Sequence, residues 1–162
     1  MNNHHKATLI SAEFKVGLEK ELEHLRKDVR PVIAERLQSA REGGDITDNA
    51  AFEQAKEDLA RLMGRMVEIE QTLREATVIQ HNGRAKPRCV EVGTVVSVFR
   101  DDGRACQYKI VESLEASPSD GKISDCSPIG LALVGRKKGE TVSVHAPART
   151  VAYTIHDIQF LH

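Results

Sequence analysis

The 162-residue chain has no tryptophan, two tyrosines and four phenylalanines, so aromatic rings make up only 4% of it. Large rings supply much of the buried area of a compact core. Their scarcity predicts that part of the chain is long and slender, closed by a seam of Leu, Ile, Val and Met. Cysteine is sparse too: Cys89, Cys106 and Cys126 make an odd number with no CxxC spacing. That argues against a disulfide framework and for a reducing cytoplasm. The seven histidines show no zinc-ligand spacing with cysteine or with one another. No apolar run approaches the ~20 residues that span a bilayer, and no apolar signal core follows Met1-Asn2-Asn3-His4-His5-Lys6. A soluble, cytoplasmic protein with no membrane partner is expected. The sequence lacks a phosphate-binding GxxxxGK loop, a GxSxG elbow and a convincing GxGxxG, which removes support for self-contained nucleotide or acyl chemistry. An excess of positive charge is missing as well, since 24 acids face 23 bases. A protein that wraps duplex DNA would show a strongly basic face.

What is present changes character near residue 80. Residues 1–80 carry 12 bases and 15 acids, net −3, whereas residues 81–162 carry 11 bases and 9 acids, net +2, with most of the glycine and proline. In the first half Leu18, Leu22, Leu25, Val29 and Val32 step by 4-3-4-3, and Ala55, Leu59, Leu62, Met66, Ile69, Leu73 and Ala76 continue the same rhythm. Two such seams need each other to bury their apolar sides, which predicts an antiparallel coiled-coil hairpin over 1–79. Gly43-Gly44 ends the first helix, and Thr47 or Asp48 can cap the second, so the tip falls near 43–48. Pro31 lies inside the first helix and predicts a kink there rather than a break, because Ile33, Leu37 and Ala40 resume the apolar stripe. Residues 80–88 read as a linker. Beyond them, alternation through Val92–Val98, Tyr108–Glu112, Val142–Ala146 and Val151–Ile158, with a short helix over Ser127–Gly135, predicts a small α+β domain over 89–162.

The tip is the most informative place. Asp45 and Asp48 sit on a turn where no core requires them, and their hard oxygen donors suit Mg²⁺. Capping of the second helix, where negative charge is favoured, explains the same two acids. Of the bases around them, Arg36, Arg61 and Arg65 fit a solvated helix face with ion pairs such as Glu57–Arg61. Arg41 and Lys56, nearest the tip, are candidates for phosphate contact.

The stretch Ala40-Arg41-Glu42-Gly43-Gly44-Asp45-Ile46-Thr47-Asp48-Asn49-Ala50-Ala51-Phe52, with Arg30-Pro31-Val32-Ile33, Tyr108-Lys109-Ile110-Val111, Lys122-Ile123-Ser124 and Ser127-Pro128-Ile129-Gly130, resembles the bacterial Gre transcript cleavage factors over nearly the whole chain. The resemblance implies an FKBP-like fold without isomerase activity for the second half. It also implies a protein that is not itself an enzyme but an accessory of RNA polymerase. Its coiled coil enters the secondary channel of a backtracked polymerase and stimulates cleavage at the nascent RNA 3′ end. Asp45 and Asp48 then help hold the second Mg²⁺, shared with the polymerase active site, while the free protein carries no cofactor and is a monomer. Arg41 and Lys56 hold the RNA, and Ser127, Pro128 and Ile129 dock on the channel rim.

Three departures from that pattern stand out: Asp48 where the family usually has Glu, Phe52 where it has Tyr, and Ser117 closing a triplet that is usually Glu-Ala-Asp. They favour, as an alternative, a paralogue that binds the same channel and regulates or inhibits without cleavage. An FKBP-like prolyl isomerase is a third reading, with Phe99, Tyr108, Tyr153 and Phe160 as the rings available to line its site.

Overall fold

The apolar seams fold as their spacing predicts, with one local change of register. In a computed structural model that describes residues 8–42, 50–80, 86–145 and 149–161, the chain is helical from Ala12 to Glu42 without interruption. It runs as α1 (Ala12–His24), a π-turn over Leu25–Val29 and α2 (Arg30–Glu42). The return helix is α3 (Ala50–Glu75). The chain divides into two units, Lys15–Ala76 and Met1–Phe14 together with Thr77–His162.

In the hairpin unit, Leu18, Leu22 and Ile33 are buried on the outgoing helices, and Ala55, Leu62, Met66 and Ile69 on α3. The heptad spacing assigns Val32 to the seam, yet Val32 is 46% exposed and its neighbour Ile33 only 8%. The π-turn accounts for the difference. The Arg30 amide donates to the Leu25 carbonyl, five residues back, so one extra residue fits into that turn and the seam resumes a residue late. The kink expected at Pro31 is thereby resolved as a π-turn just ahead of it, proline and single π-turns both being identifiable causes of a helix bend. Replacing Ile33 by alanine is expected to lower the stability of the hairpin by about 2–5 kcal/mol. Val32→Ser should change it by under about 0.5 kcal/mol. Urea unfolding of the two variants checks the order.

Ion pairs cross the hairpin. Arg65 bonds Glu21 twice, at 2.7 and 3.0 Å, and Arg26 bonds Glu70 at 2.6 Å. Such exposed pairs contribute little each but favour one register. The Arg65 guanidinium holds the Glu21 carboxyl below its ordinary value of 4.5, against a smaller opposing effect of burial. A value depressed by folding means that Glu21 stabilises the hairpin above about pH 4.5 and loses that contribution as the pH falls through the folded value. Arg65→Gln is therefore expected to lessen the decline of the urea midpoint between pH 5 and pH 3, measured by circular dichroism.

In the globular unit, β1 (Leu9–Ile10) pairs in parallel with β2 (Thr77–Val78). The main sheet holds β3 (Thr94–Arg100), β4 (Ala105–Val111), β5 (Lys122–Ser124), β6 (Thr141–His145) and β7 (Thr150–Phe160) in the order β5-β4-β3-β7-β6. Only the β4–β5 pairing is parallel. Along β7 the buried side chains are Val151, Tyr153 and Ile155, then Ile158 and Phe160, a switch from odd to even positions. A bulge allows it: Ser97 faces Asp157 and Val98 faces Ile155, leaving His156 unopposed. The helix α4 (Pro128–Leu133) sends Leu133 into the same core as Val96, Val98, Ile110 and Tyr153. Among the described residues no helix is long and apolar enough to cross a membrane.

Candidate functional site

Asp45 and Asp48, the candidate metal ligands, lie in 43–49, outside the described residues. The helix ends that border them are described, and the sequence explains both. Arg41 is the basic residue of the last turn of α2, and Glu53 the acid of the first turn of α3, each matching the helix dipole.

Arg41 and Lys56, singled out as phosphate contacts, are brought together on one aromatic ring. The Arg41 Cζ lies 5.9 Å from the centroid of Phe52, and the Lys56 Nζ 5.6 Å from it. Lys56 stands one helical turn after Phe52, the i,i+4 spacing that places two side chains on one face. Arg41 comes from the opposite helix. Two cations over one half-buried ring gain about 0.5–1 kcal/mol each, which limits the positions that these long side chains sample. Lys56 also reaches the Glu53 carboxylate at 3.1 Å. Phe52, which the sequence shows only as a lost hydroxyl, is thus the ring on which the two bases meet, and its spacing to Lys56 is the signal that could have found it.

The other bases follow the solvated-face reading, with different partners. Arg61 pairs with Asp58 rather than with Glu57, and it holds the Asp58 carboxyl below its ordinary range, helped by a bond from Gln54. Arg65 reaches Glu21 and Glu68. Between α2 and α3 an open groove of about 690 Å³ is lined by Val32, Arg36, Ala40, Ala51, Ala55 and Asp58. Small side chains at 40, 51 and 55 create it.

No group of three or more His, Cys, Asp or Glu able to hold a metal ion occurs among the described residues. The fit of Mg²⁺ rests on the donor set at 45 and 48. Two carboxylates are hard oxygen donors of the right kind, but too few for octahedral coordination, so they suit an ion whose remaining ligands come from water or from a partner.

The predicted docking residues lie on the globular unit at the start of α4. Ser127 is its N-cap: the Oγ accepts from the Gly130 amide at 3.1 Å and donates to the Ser124 carbonyl at 2.7 Å. Its hydroxyl is therefore engaged within the fold. Ile129 packs against the core. Pro128 is exposed, and Leu131, a residue not singled out from sequence, is 68% exposed. The surface offered there is mainly apolar. The four rings considered for an isomerase site divide differently: Tyr153 and Phe160 are buried, Tyr108 meets Tyr153 edge-on at 6.3 Å, and Phe99 stands exposed against His156. Burial, with bonds to Cys106 and Tyr153, raises the Tyr108 hydroxyl well above its ordinary value, so it stays neutral.

Two family descriptions match the chain. "Transcription elongation factor, N-terminal" covers residues 8–78, and "Transcription elongation factor, GreA/GreB, C-term" covers 85–160. The protein named transcription elongation factor GreA from Thermomicrobium roseum is 41% identical over 150 residues, spanning 93% of this chain and 96% of that protein. Its namesake from Syntrophomonas wolfei is 37% identical over 155 residues, spanning 95% and 97%. Among solved structures, that of the GreA factor homolog 1 (Gfh1) protein of Thermus thermophilus matches with a TM-score of 0.43 and 25% identity, over 95% of this chain and 99% of that one.

Proposed function

Because the chain belongs to the GreA/GreB family of transcription elongation factors, we propose that it is a cytoplasmic accessory of bacterial RNA polymerase, monomeric when free. Its hairpin enters the secondary channel, and the polymerase active site then cleaves the extruded 3′ segment of a backtracked RNA. The observation that carries this reading is the match of both halves to the family, in order and at nearly full length. The paired cations on Phe52, at helix ends that border Asp45 and Asp48, support it.

The roles divide by chemistry. Asp45 and Asp48 would hold Mg²⁺ jointly with the polymerase, and a metal there supplies an activated water and neutralises the charge that develops on the leaving oxygen. Asp45 would be the principal ligand, and Asp48 its partner, which would tune the ion and orient water. Arg41 and Lys56, restrained by the Phe52 ring, contact the RNA 3′ segment through its phosphates. Ser127 caps α4 and keeps Pro128 and Ile129 in position at the channel rim.

Added to stalled, backtracked complexes with Mg²⁺, the protein is expected to shorten the RNA from its 3′ end; unshortened RNA at saturating protein overturns the reading. Arg41→Ala and Lys56→Ala should each raise the protein concentration for half-maximal cleavage by about tenfold, as expected for loss of one charge-assisted contact. Equal half-maximal concentrations in a titration would remove both residues from the RNA site.

The second reading, a channel-binding regulator without cleavage, is favoured by Asp48, one methylene shorter than the family's usual Glu. It predicts slower nucleotide addition and intact RNA. Asp48→Glu discriminates: a gain of cleavage identifies side-chain reach as the limit, and no change removes it.

A further inference from the structure

Glu115 is the one carboxylate among the buried side chains of the described residues, 3% exposed. Its Oε2 accepts from the Ser11 amide at 3.0 Å, and its Oε1 accepts from the Ser11 hydroxyl at 2.6 Å and from the Lys122 ammonium at 3.2 Å. Lys122 in turn stands 4.0 Å from Glu13. Ser11 is the residue before α1, and its Oγ accepts from the Phe14 amide at 3.0 Å, the bond of an N-cap.

In a capping box the third residue after the cap is Glu or Gln and reaches back to the cap's own amide. Here that position is Phe14, which cannot. Glu115, distant by 104 residues in sequence, performs the task instead, and its charge lies at the helix end that favours an anion. The capped turn belongs to the globular unit, and the helix it begins continues to Glu42.

Resting on the function proposed above, we propose that Glu115 is a positioning residue. It clamps the first turn of the helix that leads to the tip, so that anchorage of the globular unit on its partner is transmitted to the acids that act there. Without the clamp, Ser11 to Phe14 fray, because the first amides of a helix have no partners within it. A non-helical joint then separates anchor from tip. A displacement of about 1 Å at a reacting centre costs on the order of 100-fold in rate.

Glu115→Gln tests this, because it leaves one acceptor where two are used and turns an NH₂ toward a donor. Hydrogen exchange of the Ser11 and Phe14 amides, the two that the capped turn bonds, should accelerate by about tenfold or more, the range expected for one lost charged bond. Cleavage at saturating protein should fall by about tenfold or more toward the misplacement limit, with the half-maximal concentration changed by less than about twofold. Ser11→Ala removes the hydroxyl bond to Glu115 and the cap's bond from the Phe14 amide together, so it should loosen the same turn. Combined with Glu115→Gln its effect should fall short of the sum of the two, because the Ser11–Glu115 bond is shared while the Phe14 bond is not. Unchanged exchange overturns the clamp. Faster exchange with full cleavage overturns the positioning role, as does a loss confined to the half-maximal concentration. Should the unaltered protein cleave nothing, the proposed function falls, while the exchange measurement still decides the clamp.

Discussion

Asp45→Ala is expected to reduce stimulated cleavage by at least about 100-fold while leaving competition for polymerase intact. On the function proposed, removing this carboxylate deletes a ligand and a negative charge from the shared metal site together, and the second ion of two-metal chemistry neutralises charge that otherwise raises the barrier. Binding should survive, because Arg41, Lys56 and the α4 surface are untouched. Raising Mg²⁺ should recover part of the activity, since a weakened site still fills by mass action. Asp45→Asn keeps the shape of the side chain and removes its charge; it should behave nearly as Ala does. The measurement is the rate of 3′ shortening at saturating factor, beside displacement of a labelled factor from polymerase. Cleavage at the normal rate by either variant removes Asp45 from the metal site.

In the globular unit the largest effect on stability is expected from Gly130→Ala. A Cβ at this position would stand 1.9 Å from the Ser124 carbonyl oxygen and 2.9 Å from the Asp125 Cα. Both are backbone atoms, so no rotamer change relieves the overlap. Ser124 closes β5, which pairs in parallel with β4, and the same Ser124 carbonyl receives the Ser127 hydroxyl. An added methyl therefore pushes α4 away from the strand and withdraws Leu133 from the core. Overpacking costs about 1–3 kcal/mol and more where nothing can yield, a large share of the roughly 5–15 kcal/mol that holds a domain folded. The melting temperature of the globular unit should drop by about 10 °C or more, and docking should weaken with it. A melting curve that coincides with that of the unaltered protein would show that β5 moves aside freely.

Much of the architecture is legible in the sequence because it is periodic. The 4-3 steps locate both hairpin helices, and the change from Val151-Tyr153-Ile155 to Ile158 marks a strand that changes face, which the bulge at His156 makes possible. The π-turn is harder to read. Pro31 announces a conflict, but hydrophobic spacing cannot distinguish Val32 from Ile33 as the next seam residue, since both are apolar and adjacent. The site divides in the same way. Arg41 and Lys56 follow from proximity in sequence to an acidic turn, whereas their meeting on Phe52 depends on the opposite helix. Glu115 leaves no trace in periodicity or charge spacing and stands out only as the first residue of the triplet that Ser117 closes. Nothing in that triplet points to Ser11, and only the fold brings the two together.

The π-turn has a consequence for phase. An extra residue in an α-helix rotates everything after it by about 100°, which would turn the far end of the rod sideways. Here the surplus is absorbed within a single loop of backbone, from Leu25 to Val29. Ile33 regains the seam, and Arg41 arrives on the side where Phe52 stands. Deleting Arg30 should restore a continuous heptad with the former Ile33 in register. The far end of the rod therefore tolerates the loss of one residue here better than it would anywhere between Ile33 and Arg41.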